Sequence, residues 1–164
     1  MDKYIGVKII EAGPMTAEVA GVTLQRPIDT SNADSDGNGY LVKYPDGYVS
    51  WSPKKQFDEA YRKTNGMTFG LAIEAMKQGF NVARSGWNGK GMFIVYQKGY
   101  PQGIPCNAQT AKAWGMTEGD LFKCESYLQM KMATGSHSMY TPNTLDLLAD
   151  DWEVISQQTQ TLSN

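Results

Sequence analysis

Apolar positions along this chain change their spacing several times, and each change marks an element. Tyr4 to Ile10 and Gly39 to Trp51 carry dense β-branched and aromatic residues and predict strands, the second stretch folding as a hairpin around Pro45-Asp46-Gly47. A short helix is predicted next. Ser52 serves as its N-cap, Pro53 takes the first helical position, Phe57, Ala60 and Tyr61 share one face, and Asn65-Gly66 stops it. From Met67 to Phe80 the period becomes helical: Phe69, Ala72, Ile73 and Met76 line one side, Thr68 can cap the start and Gly79 the end. Asn81 to Gly86 and Met92 to Lys98 then read as strands joined by a glycine-rich loop.

The stretch from Gly99 to Phe122 is rich in turns, with one short helix capped by Asn107 and ending near Trp114, then a turn at Thr117 to Asp120. Lys123 to Ala133 alternates as one strand, and Thr134 to Tyr140 reads as a turn leading into another. A closing helix is expected with Thr141 as N-cap and Pro142 at the first position, Leu145, Leu147, Leu148 and Trp152 making its apolar contacts. Asn143 and Thr144 would fall in its first turn, where free backbone N–H groups favour an anion. A seam near Arg62 to Gly70 divides the chain into an accessory β/α segment, residues 1–64, a main domain, 65–156, and a polar tail, 157–164. The fold class expected is α+β: an antiparallel sheet with short packed helices, plus a small N-terminal β-hairpin/helix segment.

Composition narrows the function. With 164 residues, 41% of them hydrophobic and 20% charged, the chain can build a packed core. The net charge of −2 and pI near 5.4 argue against a polymeric nucleic-acid partner, which needs a basic surplus, but leave room for a small anionic ligand. Cys106 and Cys124 read as reduced thiols, and no disulfide framework or zinc spacing is present. The start "MDKYIGVKII" has no leader-like apolar run and no stretch reaches the length of a membrane span, so a cytoplasmic protein without membrane attachment is expected.

Several motifs invite chemistry and are set aside. Asn32, Asp34, Asp36 and Gly37 begin like a calcium loop, but Lys43 stands where the bidentate Glu should be. His137 is the only histidine and has no partnered nucleophile nearby in sequence. Asp150, Asp151 and Glu153 form an acidic end to the last helix, equally suited to solvent, an interface or an arginine. No catalytic set, metal or cofactor is expected. "RSGWNGKG", Arg84 to Gly91, is neither a Walker A loop nor a dinucleotide fingerprint. It reads as a hairpin loop whose Trp87 packs onto the core, or as a stacking platform. In the second case the indole covers a base, Asn88 reads an edge and Arg84 faces a phosphate. Composition leaves both open.

From Met67 to Ile155 the sequence resembles the phage Thoeris anti-defence proteins of the second type. The resemblance rests on a helix opening with Phe69-Gly70, the run Ala83-Arg84-x-Gly86-Trp87-Asn88-Gly89-Lys90, and the closing Asp146-x-x-Ala149-x-Asp151-Trp152-Glu153. It implies a non-catalytic sponge that binds glycocyclic ADP-ribose, a cyclic ADP-ribose isomer made by a bacterial TIR enzyme, and keeps it intact in the host cytoplasm. It also implies homo-oligomers, typically tetramers, with ligand sites at subunit interfaces, and cyclic dinucleotides as ligands of some members. Carried onto this chain, the ligand-binding positions are Trp87, Asn88, Arg84, Asn143, Thr144 and Asp146; on physical grounds an adenine also suits an aromatic wall that Phe69 or Tyr140 could extend from Trp87. An absence of paired acid and base groups suits sequestration. Two other classes stand beside it: an enzyme that cleaves such a signal, and a phage protein-interaction module in which the Trp87 loop contacts protein.

Overall fold

The computed structural model describes residues 6–157, and the polar tail from residue 158 onward lies outside the described residues, as do Tyr4 and Ile5 of the first expected strand. The chain folds as two compact units that meet in sequence between Lys63 and Thr64. The first holds strand β1 (Glu11–Pro14), helix α1 (Ala17–Leu24), β2 (Gly39–Lys43), β3 (Val49–Pro53) and helix α2 (Lys54–Ala60). Its three strands form one antiparallel sheet in the order β1-β2-β3.

Four expectations change in this unit, one of them the end of α2, which stops at Ala60 with Tyr61 already extended, short of the expected stop at Asn65-Gly66. The first strand falls at Glu11–Pro14, where it pairs with Tyr40 to Lys43, and residues 6–10 form no strand. Helix α1 is an element the hydrophobic pattern does not predict. Thr16 caps it by accepting the Val19 N–H at 3.4 Å, and Ala17 and Ala20 are its buried residues, too small to make an apolar stripe legible. Ser52 does not cap α2: it stays in the β-ladder opposite Tyr40, so the helix begins one residue past Pro53, at Lys54. The hairpin turn at Pro45-Asp46-Gly47 forms as expected, Gly47 taking φ +86° and donating its N–H to the Tyr44 carbonyl. Phe57 of α2 stacks on Tyr40 at 4.1 Å and meets Tyr61 at 4.9 Å.

The second unit is built on a five-stranded antiparallel sheet. Its elements are α3 (Phe69–Lys77), β4 (Phe80–Arg84), β5 (Phe93–Gln97), β6 (Tyr100–Pro105), α4 (Ala108–Trp114), β7 (Leu121–Cys124), β8 (Tyr127–Lys131), β9 (His137–Met139), α5 (Thr144–Leu147) and β10 (Trp152–Gln157). The main sheet runs β10-β4-β5-β8-β9, and β6 with β7 forms a separate two-stranded ribbon. Register places Val154, Val82, Ile94 and Met130 in one row across four strands. Helix α3 lies against β4, β5 and β10, burying Phe69, Ala72, Ala75 and Met76, and Gly79 takes φ +89° beyond its end. Asn107 caps α4 as expected by accepting the Thr110 N–H at 2.8 Å.

The single strand expected over Lys123 to Ala133 is two. β7 belongs to the ribbon and β8 to the main sheet, with Glu125 and Ser126 between them. The closing segment also differs. Trp152 to Gln157 is a strand, not the end of a helix, because it pairs with β4 and brings Trp152 opposite Arg84.

Candidate ligand-binding site

Arg84 is the last residue of β4 and stands across the ladder from Trp152, the first of β10. The chain then enters the loop 85–92. Ser85 donates its N–H to the Asp151 carbonyl at 3.1 Å, and Trp87 donates its own to the Arg84 carbonyl at 3.1 Å, which turns the indole back over the strand end. Gly86 donates to Asp151 Oδ2 at 3.0 Å. A Cβ at Gly86 would stand 2.9 Å from that same oxygen, so a side chain there would push against the Asp151 carboxylate. Gly91, with φ +70°, lets the loop turn into β5.

Opposite this loop is α5. The expected start at Thr141 and Pro142 is corrected: Asn143 is the N-cap, its Oδ1 accepting the Asp146 N–H at 2.9 Å, and the helix runs for four residues only. The cap consumes a first-turn donor that would otherwise be open to an anion. It also fixes Asp146, which is buried at 5% exposure. The leucines of this segment do not pack inward: Leu145 and Leu148 are 77% and 80% exposed and Leu147 is exposed as well, because α5 is one turn long and stops before it can bury an apolar face. Trp152 alone of the four expected contacts is in the core, at 0% exposure.

Asp146 is the hub of the site. Its Oδ1 accepts from Arg84 Nη1 at 2.9 Å and from Trp87 Nε1 at 3.4 Å, and its Oδ2 accepts from the Tyr140 hydroxyl at 2.7 Å. Its backbone carbonyl accepts from Trp152 Nε1 at 3.0 Å. Arg84 divides itself between two carboxylates, for its Nε also donates to Asp151 Oδ1 at 2.7 Å. Around these polar contacts the rings interlock. Trp87 meets Trp152 edge to face at 5.4 Å and Tyr140 at 6.1 Å, and Trp152 meets Phe69 at 5.2 Å.

The charges follow from these contacts. Burial would raise the Asp146 pKa, but hydrogen bonds from Arg84, Tyr140 and Trp87 outweigh it and hold the carboxyl below its usual value. Arg84 and the Gly86 N–H hold Asp151 low against a smaller opposing effect of burial. Burial and the adjoining Asp146 push the Tyr140 hydroxyl well above its usual range, so it is a donor at neutral pH. The two carboxylates in turn raise Arg84, which stays charged throughout. One guanidinium thus faces two carboxylates, a local sum of −1.

Of the eight residues singled out from sequence, six are in this network: Arg84, Trp87, Tyr140, Asn143 and Asp146 by hydrogen bonds, Phe69 through Trp152. Asn88 and Thr144 are exposed and stand outside it. Asp151 and Trp152 complete the cluster. Asp151 makes the arginine contact that is one of three uses open to the acidic run, and Trp152 is legible in the sequence only as a core residue. No hydrophobic period could pair Asp151 with Arg84, because 67 residues separate them.

A family model described as a Thoeris anti-defense 2-like domain matches residues 67–155. Among curated relatives, Thoeris anti-defense 2 of Bacillus phage SP01 is 32% identical over 93 residues, a stretch that takes in 55% of this chain and 96% of the relative. Among the described residues no helix is long and apolar enough to cross a membrane. The matched span contains the whole Arg84–Trp87–Asp146–Trp152 network, and the chain belongs to the Thoeris anti-defense 2-like family, which implies a phage anti-defence role.

Proposed function

We propose that the protein is a sponge: in the host cytoplasm it binds a cyclic ADP-ribose isomer, glycocyclic ADP-ribose, and holds it without cleaving it. Cyclic dinucleotides are a second ligand class of the same chemistry. The observation that carries this reading is the fixed indole of Trp87 at the edge of a glycine-rich loop. Its ring edge is tied to Asp146 and its neighbours Trp152 and Tyr140 meet it edge to face, so the platform needs no ordering when an adenine stacks on it. Asn88 and Thr144, exposed beside it in sequence and on α5, supply polar edges. Arg84, Asn143, Asp146, Tyr140 and Phe69 form the support behind the platform. A homotetramer, with each site completed by a second copy, belongs to the same reading, and the exposed Leu145 and Leu148 favour a covered surface near α5.

The supports for binding over turnover are chemical. The titratable groups of the cluster are locked to one another: Tyr140 is held protonated and both carboxylates ionised, so none is poised to exchange a proton near pH 7. Calorimetry with glycocyclic ADP-ribose, other cyclic ADP-ribose isomers and cyclic dinucleotides tests the reading, followed by heating the complex and assaying what is released. Intact ligand is expected to return, degraded ligand identifies an enzyme, and no heat with any of them ends the proposal. Trp87→Ala is expected to abolish binding while the oligomer persists on size exclusion; loss of the fold instead would make Trp87 a packing residue only.

A further inference from the structure

The sequence suggests Arg84 as a partner for a ligand phosphate, yet its guanidinium is divided between Asp146 and Asp151 at 2.9 and 2.7 Å. Its side chain is four-fifths buried. Two ionised carboxylates around one cation leave this corner with a net negative charge, which repels a phosphate. The acceptor that Arg84 holds most deeply, Asp146 Oδ1, is the same atom that receives the Trp87 indole N–H. The other carboxylate, Asp151, takes the N–H of Gly86, the residue before Trp87. Both arms of the arginine therefore end on groups that place the tryptophan.

We propose that Arg84 is a positioning residue: it holds Asp146 and Asp151 so that they fix Trp87 from its ring edge and from its backbone, and a bound cyclic nucleotide lays its base here and carries its diphosphate away from this corner. The inference rests on the sponge reading for its ligand, though not for the positioning itself. It reverses the electrostatic expectation for the most conspicuous cation of the motif. It also assigns the neutral part of the ligand to the hub.

Two measurements test it. In the ligand-free protein, the indole N–H resonance of Trp87, identified by its absence in Trp87→Phe, is expected to move in Arg84→Gln and in Asp146→Asn. An unmoved resonance in Arg84→Gln overturns the positioning role. With glycocyclic ADP-ribose as probe, Arg84→Gln is expected to weaken binding about tenfold or more, as loss of a charged hydrogen-bonded support does. That loss should be the same at low and at high salt; a loss that shrinks as salt rises would show that Arg84 meets a phosphate and would overturn the proposal. Where Arg84→Gln fails to fold, Arg84→Lys decides. It keeps the charge but cannot fork to two carboxylates, so near wild-type affinity speaks for a phosphate contact and a loss like that of Asp146→Asn speaks for positioning. If the wild type binds no cyclic nucleotide at all, the sponge reading fails while the indole resonance still judges Arg84.

Discussion

The two units of the chain bury different kinds of side chain. The N-terminal unit's buried hydrophobic residues are small, Ala17, Ala20 and Val42, and its described aromatic rings are half-buried or, in Tyr48, exposed. The second unit encloses Met67, Phe69, Met76, Val82, Ile94, Met130 and Trp152, and with them a carboxylate, Asp146. The difference is one of consequence as well as size. A buried tryptophan brings an N–H that must find an acceptor, and here the acceptor is the backbone of the same residue whose carboxylate ties Arg84, Trp87 and Tyr140 together. In the second unit the core and the candidate site are continuous. In the first, the core carries no such polar centre among the described residues.

That contrast can be broken by truncating one core residue in each unit. Trp152→Ala removes a ring enclosed between Phe69 and Trp87 and orphans the Asp146 carbonyl, and it should cost about 3–5 kcal/mol of the second unit's stability. Val42→Ala removes two methyl groups from the first unit and should cost about 2 kcal/mol. Urea unfolding followed by resolved NMR signals from each unit measures both. Equal losses would mean that the second unit does not depend on its aromatic centre.

The polar hub comes next in size. Asp146→Ala leaves the Arg84 guanidinium facing Asp151 alone and strips acceptors from Tyr140 and Trp87, so a loss of about 3 kcal/mol is expected from the second unit. The pH dependence gives the same group a milder test. Asp146 and Asp151 have folded-state pKa values below their unfolded ones. Their contribution is therefore complete above the unfolded value, about 4, and is lost as pH falls through the folded values. Acid should weaken the second unit, and Asp146→Asn should flatten that dependence. An Asp146→Asn variant with the wild-type acid profile would show that Asp146 contributes nothing through its charge.

Legibility in the sequence divides along the same line. The helices α3 and α4, the turn at Pro45-Asp46-Gly47 and the strands β4 and β5 are readable because the apolar period of α3, the Asn107 cap of α4 and the glycines are local signals, though Thr68, expected to cap α3, makes no side-chain cap bond. Helix α1 is not, since alanines give no amphipathic contrast, and β7 and β8 merge because nothing local marks a change of sheet. The site is readable as a set of residues and easily misread as a set of roles. Asn143, expected in a helix start open to an anion, is instead the cap of that helix, and the arginine that suggests a phosphate is held by carboxylates distant in sequence. Chain-distant ion pairs have no period, so only the fold, which brings Asp146 and Asp151 to the end of β4, discloses their roles.

The smallest expected effect lies in the first unit and marks the limit of the comparison. Glu11 and Lys43 face each other across β1 and β2 at 3.4 Å, with side chains 79% and 57% exposed. In geometry the pair resembles Arg84–Asp146, a cation and a carboxylate on ordered elements. Its surroundings differ: both groups are solvated, the distance is long, and ordering two flexible side chains offsets most of the attraction. Glu11→Gln should therefore change stability by less than about 0.5 kcal/mol, and by less still in high salt. Urea unfolding at two ionic strengths measures it. A loss comparable to that of Asp146→Ala would mean that burial and the shared hydrogen bonds are not what separates the two pairs, and the special standing of the second unit's hub would go with it.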